Sequence, residues 1–435
     1  ARLKAIRGST PASRFLVLEL AERLPFEPRI LGYLRLDPPI PRMHRRTPEG
    51  VERDIRERIF PRDWFHPTYE GGADWQKALD RVNTAAARIA RVVVHPDYRS
   101  EGFGALLVRV ALEWAKERGA PEARREKHLV YTIAQMARYH PFFEKVGFRY
   151  LFDTASGRPV LFYPLTEEAE AHLERFLRED PYAKAHGGRL YKPRFGRVPG
   201  LPGPIRLAGV HKAYRSHLDL EGLSREVQEA LLAFGVKARV VERAVLRGAS
   251  LEIPPGSLVV LAGASGAGKT TLLRLLLGEA PDAGEVAVPP GRRVAYIPGE
   301  REVDLGEAPI LEAVYRRLKD VGAAIEVLNR VGLSDAVLYR ARPHELSTGQ
   351  RERFRLALLL AERPDLLLID EFAAHLDVPT ARRVALGLGK LCREAGVTLV
   401  AATHRPEVVA ALDPDLLVYV GYGGLTTVPR RGPRT

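Results

Sequence analysis

The sequence predicts an α/β protein in two unlike parts, and three observations predict it. Residues 263–271 read Gly-Ala-Ser-Gly-Ala-Gly-Lys-Thr-Thr between the apolar runs Ser257–Ala262 and Leu272–Leu277, a strand–loop–helix pattern. A second glycine turn, with Arg99, Ser100, Glu101, Gly102, Phe103 and Gly104, joins the apolar Arg88–Val94 to the amphipathic Phe103–Arg118. Between these, Tyr191–Leu207 interleaves Pro193, Pro199, Pro202 and Pro204 with Gly196, Gly200 and Gly203, which predicts a linker or an extended arm.

The elements ahead of that break alternate in type. Phe15–Leu20, Ile30–Leu36 and Arg88–Val94 are apolar runs of strand length. The helix Phe103–Arg118, a strand at Leu129–Ile133 and a short helix from Pro141 to Lys145 follow, and strands at Tyr150–Phe152 and Val160–Tyr163 complete the set. The predicted units are residues 1–190 with an insertion at 38–87, a linker at 191–207, a second domain at 208–428 and a basic tail at 429–435.

The 263–271 loop has a defined chemistry. Glycines such as Gly263, Gly266 and Gly268 let backbone N–H groups, with Ser265 and Thr271 beside them, approach phosphate oxygens at a helix N-terminus. Lys269 reaches the β/γ oxygens and Thr270 can ligate Mg²⁺, so the chain is expected to bind a nucleoside triphosphate. Downstream, Leu346-Ser347-Thr348-Gly349-Gln350 opens a helix (Arg351–Glu362). The apolar run Leu366–Ile369 delivers Asp370 and Glu371, then Ala374-His375-Leu376-Asp377 follows, and Thr403-His404 ends the strand Val397–Ala402.

In this order the motifs resemble the ABC ATPase superfamily, whose signature usually carries glycine where this chain has Thr348. The resemblance implies ATP and Mg²⁺, with Thr270 and Asp370 on the metal, Glu371 polarising water and His404 at the γ-phosphate. It also implies an ATP-dependent head-to-tail homodimer in which Ser347, Gly349, Gln350 and Asp377 act across the interface. The resemblance puts a glutamine after the strand Val294–Ile297; here the chain reads Pro298-Gly299-Glu300, and Glu300 is the substitute on offer. Tyr214 and Phe234 both qualify as the adenine-stacking aromatic, separated from the core by a helical insertion near Ser224–Phe234.

The strand Val92-Val93-Val94 with its Arg99-x-x-Gly102-x-Gly104 turn, followed by Pro141-Phe142-Phe143-Glu144-Lys145-Val146-Gly147-Phe148, resembles the GNAT acyltransferases. The fold expected is therefore a GNAT-like mixed-sheet domain followed by an ABC-type P-loop NTPase domain. The resemblance implies that Arg99, Ser100, Glu101, Gly102, Phe103 and Gly104 bind the pyrophosphate of acetyl-CoA or another acyl-CoA. Backbone N–H groups near Val93 and Val94 would meet the developing oxyanion. Where the family often has a tyrosine acid, this chain has Phe143; Tyr139 and His140 are the nearby replacements. The family's first strand and helices would precede Phe15, leaving too few residues for them, and the chain starts at Ala1; a fragment or a trimmed domain is expected.

Composition bounds the partners. The 435 residues carry 67 Lys+Arg against 54 Asp+Glu, a net charge of +13, and residues 1–200 hold 36 Lys+Arg against 26 Asp+Glu. The basic part is the expected contact for DNA or RNA. In the insertion, Arg42, His44, Arg45, Arg46, Arg53, Arg56, Arg58 and Arg62 neighbour Trp64, Phe65, His66 and Tyr69. That mixture suits phosphate contact with base stacking, or else a solvated helix whose aromatics dock on the domain. With the two GNAT landmarks it faintly resembles GNAT-like proteins that modify DNA bases, such as phage Mom.

The single Cys392 excludes a disulfide framework and points to a reducing cytoplasm. Apolar runs fall short of the ~18 residues of a membrane span, so no membrane role is expected. Few Asn and Gln among many charges suggest a thermophile. The reading is an ATPase fused to an N-acyltransferase, with nucleic acid as the acceptor. The alternatives are a protein or small-molecule amine, or a nucleic-acid clamp with a degenerate acyltransferase fold.

Overall fold

The computed structural model describes residues 13–430 apart from 23–24, 26, 41, 66–83, 96–97, 99–101, 118–125, 219, 237–238, 300–303 and 422. It divides the chain after Lys192. The first unit holds β1 (Arg14–Glu19), β2 (Ile30–Asp37), β3 (Arg45–Thr47), β4 (Gly50–Glu52), α1 (Ile55–Ile59) and β5 (Ala86–Val94). Then come α2 (Phe103–Lys116), β6 (Leu129–Ile133), β7 (Arg149–Asp153), β8 (Pro159–Pro164), α3 (Glu167–Glu179) and α4 (Pro181–His186). Six strands form one sheet in the order β1-β2-β5-β6-β8-β7.

In that sheet β5 and β6 run parallel and pair only from Ala86 to Ile89. β5 stays on β2 as far as Val94. Past the end of β6, β5 therefore runs on alone on that side, and the sheet opens into a wedge at the approach to α2. One face is covered by α2 through Val108, Ala111 and Leu112 against Leu34, Ile89 and Val130. The other is covered by the insertion and by α3 and α4. α3 is capped by Thr166, whose hydroxyl accepts from Ala169 N–H, and its buried Ala169, Leu173 and Phe176 recur at helical spacing.

The insertion decides between the two readings of its aromatics in favour of docking on the domain. Trp64 and Phe65 are 3% and 2% exposed and belong to this second core. Trp64 stacks on His128 at 4.4 Å and the Arg56 guanidinium lies 4.2 Å over the Phe65 ring. Arg45 is buried on Asp180 at 2.9 Å and on Glu52 at 2.6 Å. Burying so much aromatic area outweighs leaving it in water as a base-stacking surface. His66 and Tyr69 lie outside the described residues.

The second unit starts at Pro193. It contains β9 (Ile205–Leu218), α5 (Arg225–Ala233), β10 (Arg239–Ile253), β11 (Leu258–Ala262), α6 (Lys269–Leu276), β12 (Ala283–Ala287) and β13 (Val294–Ile297). α7 (Ile310–Leu318), α8 (Val321–Arg330), α9 (Thr348–Ala361), β14 (Leu366–Ile369), α10 (Val378–Ala395), β15 (Thr398–Ala402), α11 (Pro406–Leu412), β16 (Leu416–Gly421) and β17 (Gly424–Pro429) follow. β10-β9-β12 make an antiparallel sheet and β13-β14-β15-β11-β16-β17 a second, parallel except at β17. Its central strands are continuous apolar runs because helices cover both faces.

The Pro/Gly-rich stretch is an extended arm in the second unit, not a free tether. Phe195, Val198 and Leu201 are buried, and Val198 N–H donates to Ala395 O at 2.8 Å. At the other end Pro429 completes β17 and the Arg430 guanidinium bonds Asp413. The expected basic tail thus reduces to residues 431–435, outside the described residues. No helix of the described residues is long and apolar enough to cross a membrane.

Candidate functional site

Parallel strands aim their carboxyl ends at one side of a sheet, and ligands gather where the loops from those ends meet. Here neighbouring strands deliver Gly299 (after β13), Asp370 (after β14), His404 (after β15) and the 263–268 loop (after β11). Two glycines in the loop have no substitute. A Cβ on Gly263 would lie 2.2 Å from Val420 O, and one on Gly268, at φ 110°, would lie 2.4 Å from Val245 Cγ1. The Gly266 carbonyl accepts from Arg243 Nη2 at 2.8 Å, which ties β10 to the loop. Gly268 caps α6, so the first N–H groups of that helix are open to an anion.

Lys269 Nζ donates to Gly263 O and Ala264 O, both at 2.8 Å, so its ammonium lies across the mouth of the loop. Burial lowers its pKa, opposed by Asp370 and Glu371. Thr270 Oγ1 donates to Asp370 Oδ2 at 2.7 Å. These two hard oxygens, with phosphate oxygens, fit the donor set Mg²⁺ takes. Ser265 lies in the loop and Thr271, buried, in the first turn of α6.

Glu371 follows with a left-handed backbone, φ 49°. The position where a glutamine was expected proves informative: a Cβ on Gly299 would sit 3.0 Å from Glu371 Cδ, so the missing side chain leaves that space to Glu371. Glu300 lies outside the described residues. Thr403 is buried and donates to Phe372 O at 3.2 Å, while His404 beside it is exposed. Arg405, which carries no sequence signal, donates to Ala373 O and Leu376 O at 2.7 and 2.5 Å. It thereby fastens the loop bearing His404 to the loop bearing Glu371 and Asp377.

Ser347 caps α9 in a reciprocal box: Gln350 N–H donates to Ser347 Oγ at 3.3 Å and Ser347 N–H to Gln350 Oε1 at 3.0 Å. Thr348, the departure from the usual signature, is the first residue of α9. Gly349 has Leu376 Cδ2 3.0 Å from where its Cβ would be. Asp377 caps α10 by accepting from Thr380 N–H at 2.9 Å. Of the two aromatic candidates, Phe234 is 85% exposed at the end of α5. Tyr214 pairs with Arg243, the residue holding Gly266.

In the first unit Val94, Gly104 and Phe142 meet at the start of α2. Gly102, at φ 87°, caps α2. A Cβ on Gly104 would be 3.1 Å from the Phe142 ring and 3.7 Å from Val94 Cγ2, so strand, helix start and second landmark meet there. Phe103 packs at 6.3 Å from Tyr98. Val93 stands opposite Tyr33 on β2. Arg99, Ser100 and Glu101 lie outside the described residues.

Phe143 is buried, with Phe142 at 4.8 Å and Phe148 at 5.2 Å. The segment expected as a short helix from Pro141 is a single 3-10 turn, Glu144–Val146. Tyr139 and His140 follow a turn after β6, both N–H groups donating to Met136 O, and Phe142 N–H donates to His140 O at 2.8 Å. The His140 Nδ1 is buried with no hydrogen-bond partner among the described residues. Burial, helped by Lys145, pulls the His140 pKa down to about 4.

The chain matches two family models: "ABC transporter" over residues 246–374 and "Acetyltransferase (GNAT) domain" over residues 70–150. It is 35% identical over 193 residues to the lipoprotein-releasing system ATP-binding protein LolD 1 of Rhodospirillum rubrum, covering 39% of this chain and 84% of that protein. It is 34% identical over 209 residues to the methionine import ATP-binding protein MetN of Mesorhizobium japonicum, covering 42% of this chain but only 56% of that protein. Among solved structures, the dimeric bacterial ABC transporter cassette MJ0796 matches with a TM-score of 0.38 at 22% identity, over 52% of this chain and 99% of that one. The chain belongs to the ABC ATPase family and carries a GNAT acetyltransferase domain ahead of its ATP-binding cassette.

Proposed function

We propose that the chain transfers an acyl group from acyl-CoA to an amine, under the control of an ATPase that works as a head-to-tail homodimer. The observation that carries the transferase reading is the meeting of Val94, Gly104 and Phe142 at the open end of the β5/β6 wedge. The glycine-floored start of α2 receives the coenzyme pyrophosphate. The thioester carbonyl then lies along β5, where N–H groups at Val93–Val94 stabilise the oxyanion. The amine forms its bond to the carbonyl carbon as the C–S bond breaks. His140, neutral at pH 7, takes the amine proton, and Tyr139 supplies one to the departing thiolate.

In the cassette Lys269 and the N–H groups of 263–271 hold the phosphates, Tyr214 stacks on adenine, and Thr270 with Asp370 holds Mg²⁺. Mg²⁺ held there would supply positive charge to the phosphate oxygens. Glu371 orients and polarises water, and His404 meets the γ-phosphate. Ser347, Gly349, Gln350 and Asp377 of a second copy close the site.

Two acceptors divide the observations. Exposed Arg42, Arg46, Arg53 and Arg62 support a nucleic acid gripped by its phosphates. Burial of Trp64 and Phe65 favours an amine on a protein or small molecule. Incubation with labelled acetyl-CoA and DNA, RNA, peptide or polyamine separates them by where the label appears. Acetyl-CoA binding with no transfer to any acceptor would reject the transferase and leave a nucleotide-driven clamp.

A further inference from the structure

We propose that the Glu371 carboxylate is aimed by two positioning residues, Gly299 as a bare wall beside it and Arg405 as a clasp on its loop, so that ATP hydrolysis in this chain needs glycine where a glutamine was expected. The idea rests on the hydrolysis reading above and adds how the chain places its base. In that reading the carboxylate accepts a proton from the water whose oxygen bonds to the γ-phosphorus, while the bridging P–O bond breaks and its electron pair leaves with ADP. Among the described residues no hydrogen bond fixes the Glu371 side chain, and the residue is exposed. Its aim therefore comes from its backbone and from what it packs against.

Gly299 supplies the packing. A Cβ there would stand 3.0 Å from Glu371 Cδ and 3.1 Å from both Cγ and Oε2, inside the about 3.5 Å of an ordinary carbon contact. The wall is itself fixed: Asp370 N–H donates to Ile297 O at 2.8 Å, and Arg355 Nη1 of α9 to Pro298 O at 3.4 Å. Gly299 is not among the left-handed glycines, so what it offers is space and not conformational freedom.

Arg405 supplies the backbone. Glu371 at φ 49° and Ala373 at φ 62° are both left-handed without being glycine, a costly arrangement that persists only where the surroundings enforce it. The enforcement comes from the end of β15 and the residues after it. Phe372 N–H donates to Ala402 O at 2.8 Å, and Phe372 O accepts from Thr403 Oγ1 at 3.2 Å. Arg405 Nη1 donates to Ala373 O at 2.7 Å and to Leu376 O at 2.5 Å, while its Nε donates to Glu407 Oε1 at 2.7 Å. The Arg405 side chain is 13% exposed, so these bonds meet little competition from water. Without the guanidinium Ala373 is free to relax, and Glu371, two residues back, turns with it.

The test measures phosphate release and ATP affinity of the full chain for Gly299→Ala, Gly299→Gln and Arg405→Gln, each alone and combined with Glu371→Gln. A base misplaced by about 1 Å can lose about a hundredfold, so kcat should fall by a factor of about 10–100 in each single variant. ATP affinity by calorimetry should stay within about twofold, because the phosphate loop is untouched. In the Glu371→Gln background the same changes should cost almost nothing further, a non-additivity that a merely structural defect would not show. Gly299→Gln, which restores the expected glutamine, should slow the chain rather than speed it. Should Arg405→Gln fail to fold, the Gly299 variants, which remove no bond, carry the test. Hydrolysis at the native rate by either Gly299 variant overturns the proposal alone, as does a loss that adds in full to that of Glu371→Gln. A Glu371→Gln chain that hydrolyses normally, or a native chain that releases no phosphate, takes the hydrolysis reading down with it.

Discussion

Single atoms decide the nucleotide loop. Gly268→Ala places a methyl 2.4 Å from Val245 at a backbone angle that L side chains resist, so ATP affinity measured by calorimetry should fall by a factor of ten or more, on the order of 1.4 kcal/mol. Glu371→Gln keeps the shape but removes the base, and phosphate release should drop by roughly 10²–10⁴ while ATP still binds. His140 gives a pH signature. Its folded pKa is about 4 against about 6.5 when unfolded, so between those values the unfolded chain binds more protons and stability falls as pH drops. Urea unfolding of the native chain should weaken from pH 6.5 toward 4 by about 1–3 kcal/mol, and His140→Asn should flatten that part of the slope. Residues like these stand out in the sequence as candidates because phosphate, metal and proton chemistry each demand a particular side chain at a particular spacing. Arg405 and Arg243 do not, since an arginine in a charged sequence acquires meaning only from the partner it meets.

Elements were legible where period and context agreed. The strand at Val294–Ile297 and the strand at Leu129–Ile133 fall where their apolar runs put them. α3 was missed because its charged face, rich in Glu and Arg, hides the apolar stripe of Ala169, Leu173 and Phe176. The 191–207 stretch stayed open between linker and extended arm for a related reason: proline and glycine mark irregular backbone but do not say whether it is buried. Phe195, 1% exposed in the helical core, answers that. Phe195→Ala should cost about 3–5 kcal/mol and lower the thermal midpoint of the cassette, read by calorimetry.

At the scale of the whole molecule, the cassette presents half of each composite site: Lys269 and Thr270 at the loop, Ser347 and Gly349 at the start of α9. In the proposed head-to-tail pair each site would be completed by the second copy. Mixing Lys269→Ala chains with Ser347→Arg chains, each inactive alone, should restore part of the ATPase rate, because one of the two sites in each mixed dimer then holds both native halves. Colorimetric phosphate release checks this, and no recovery at any mixing ratio would reject the composite site.

Two glycine turns at helix starts, the order of motifs from 263 to 404 and the mixed α/β character were determined by the sequence alone, because helix starts, glycine conformations and buried parallel strands leave local and periodic marks. Tertiary structure alone decided that Trp64 and Phe65 belong to a core, that Gly299 makes room for Glu371, and that the arm is clamped by Glu326, Asp365 and Arg363. Each of these depends on residues distant in sequence competing for the same space or the same hydrogen bond, and no local pattern records the outcome of that competition.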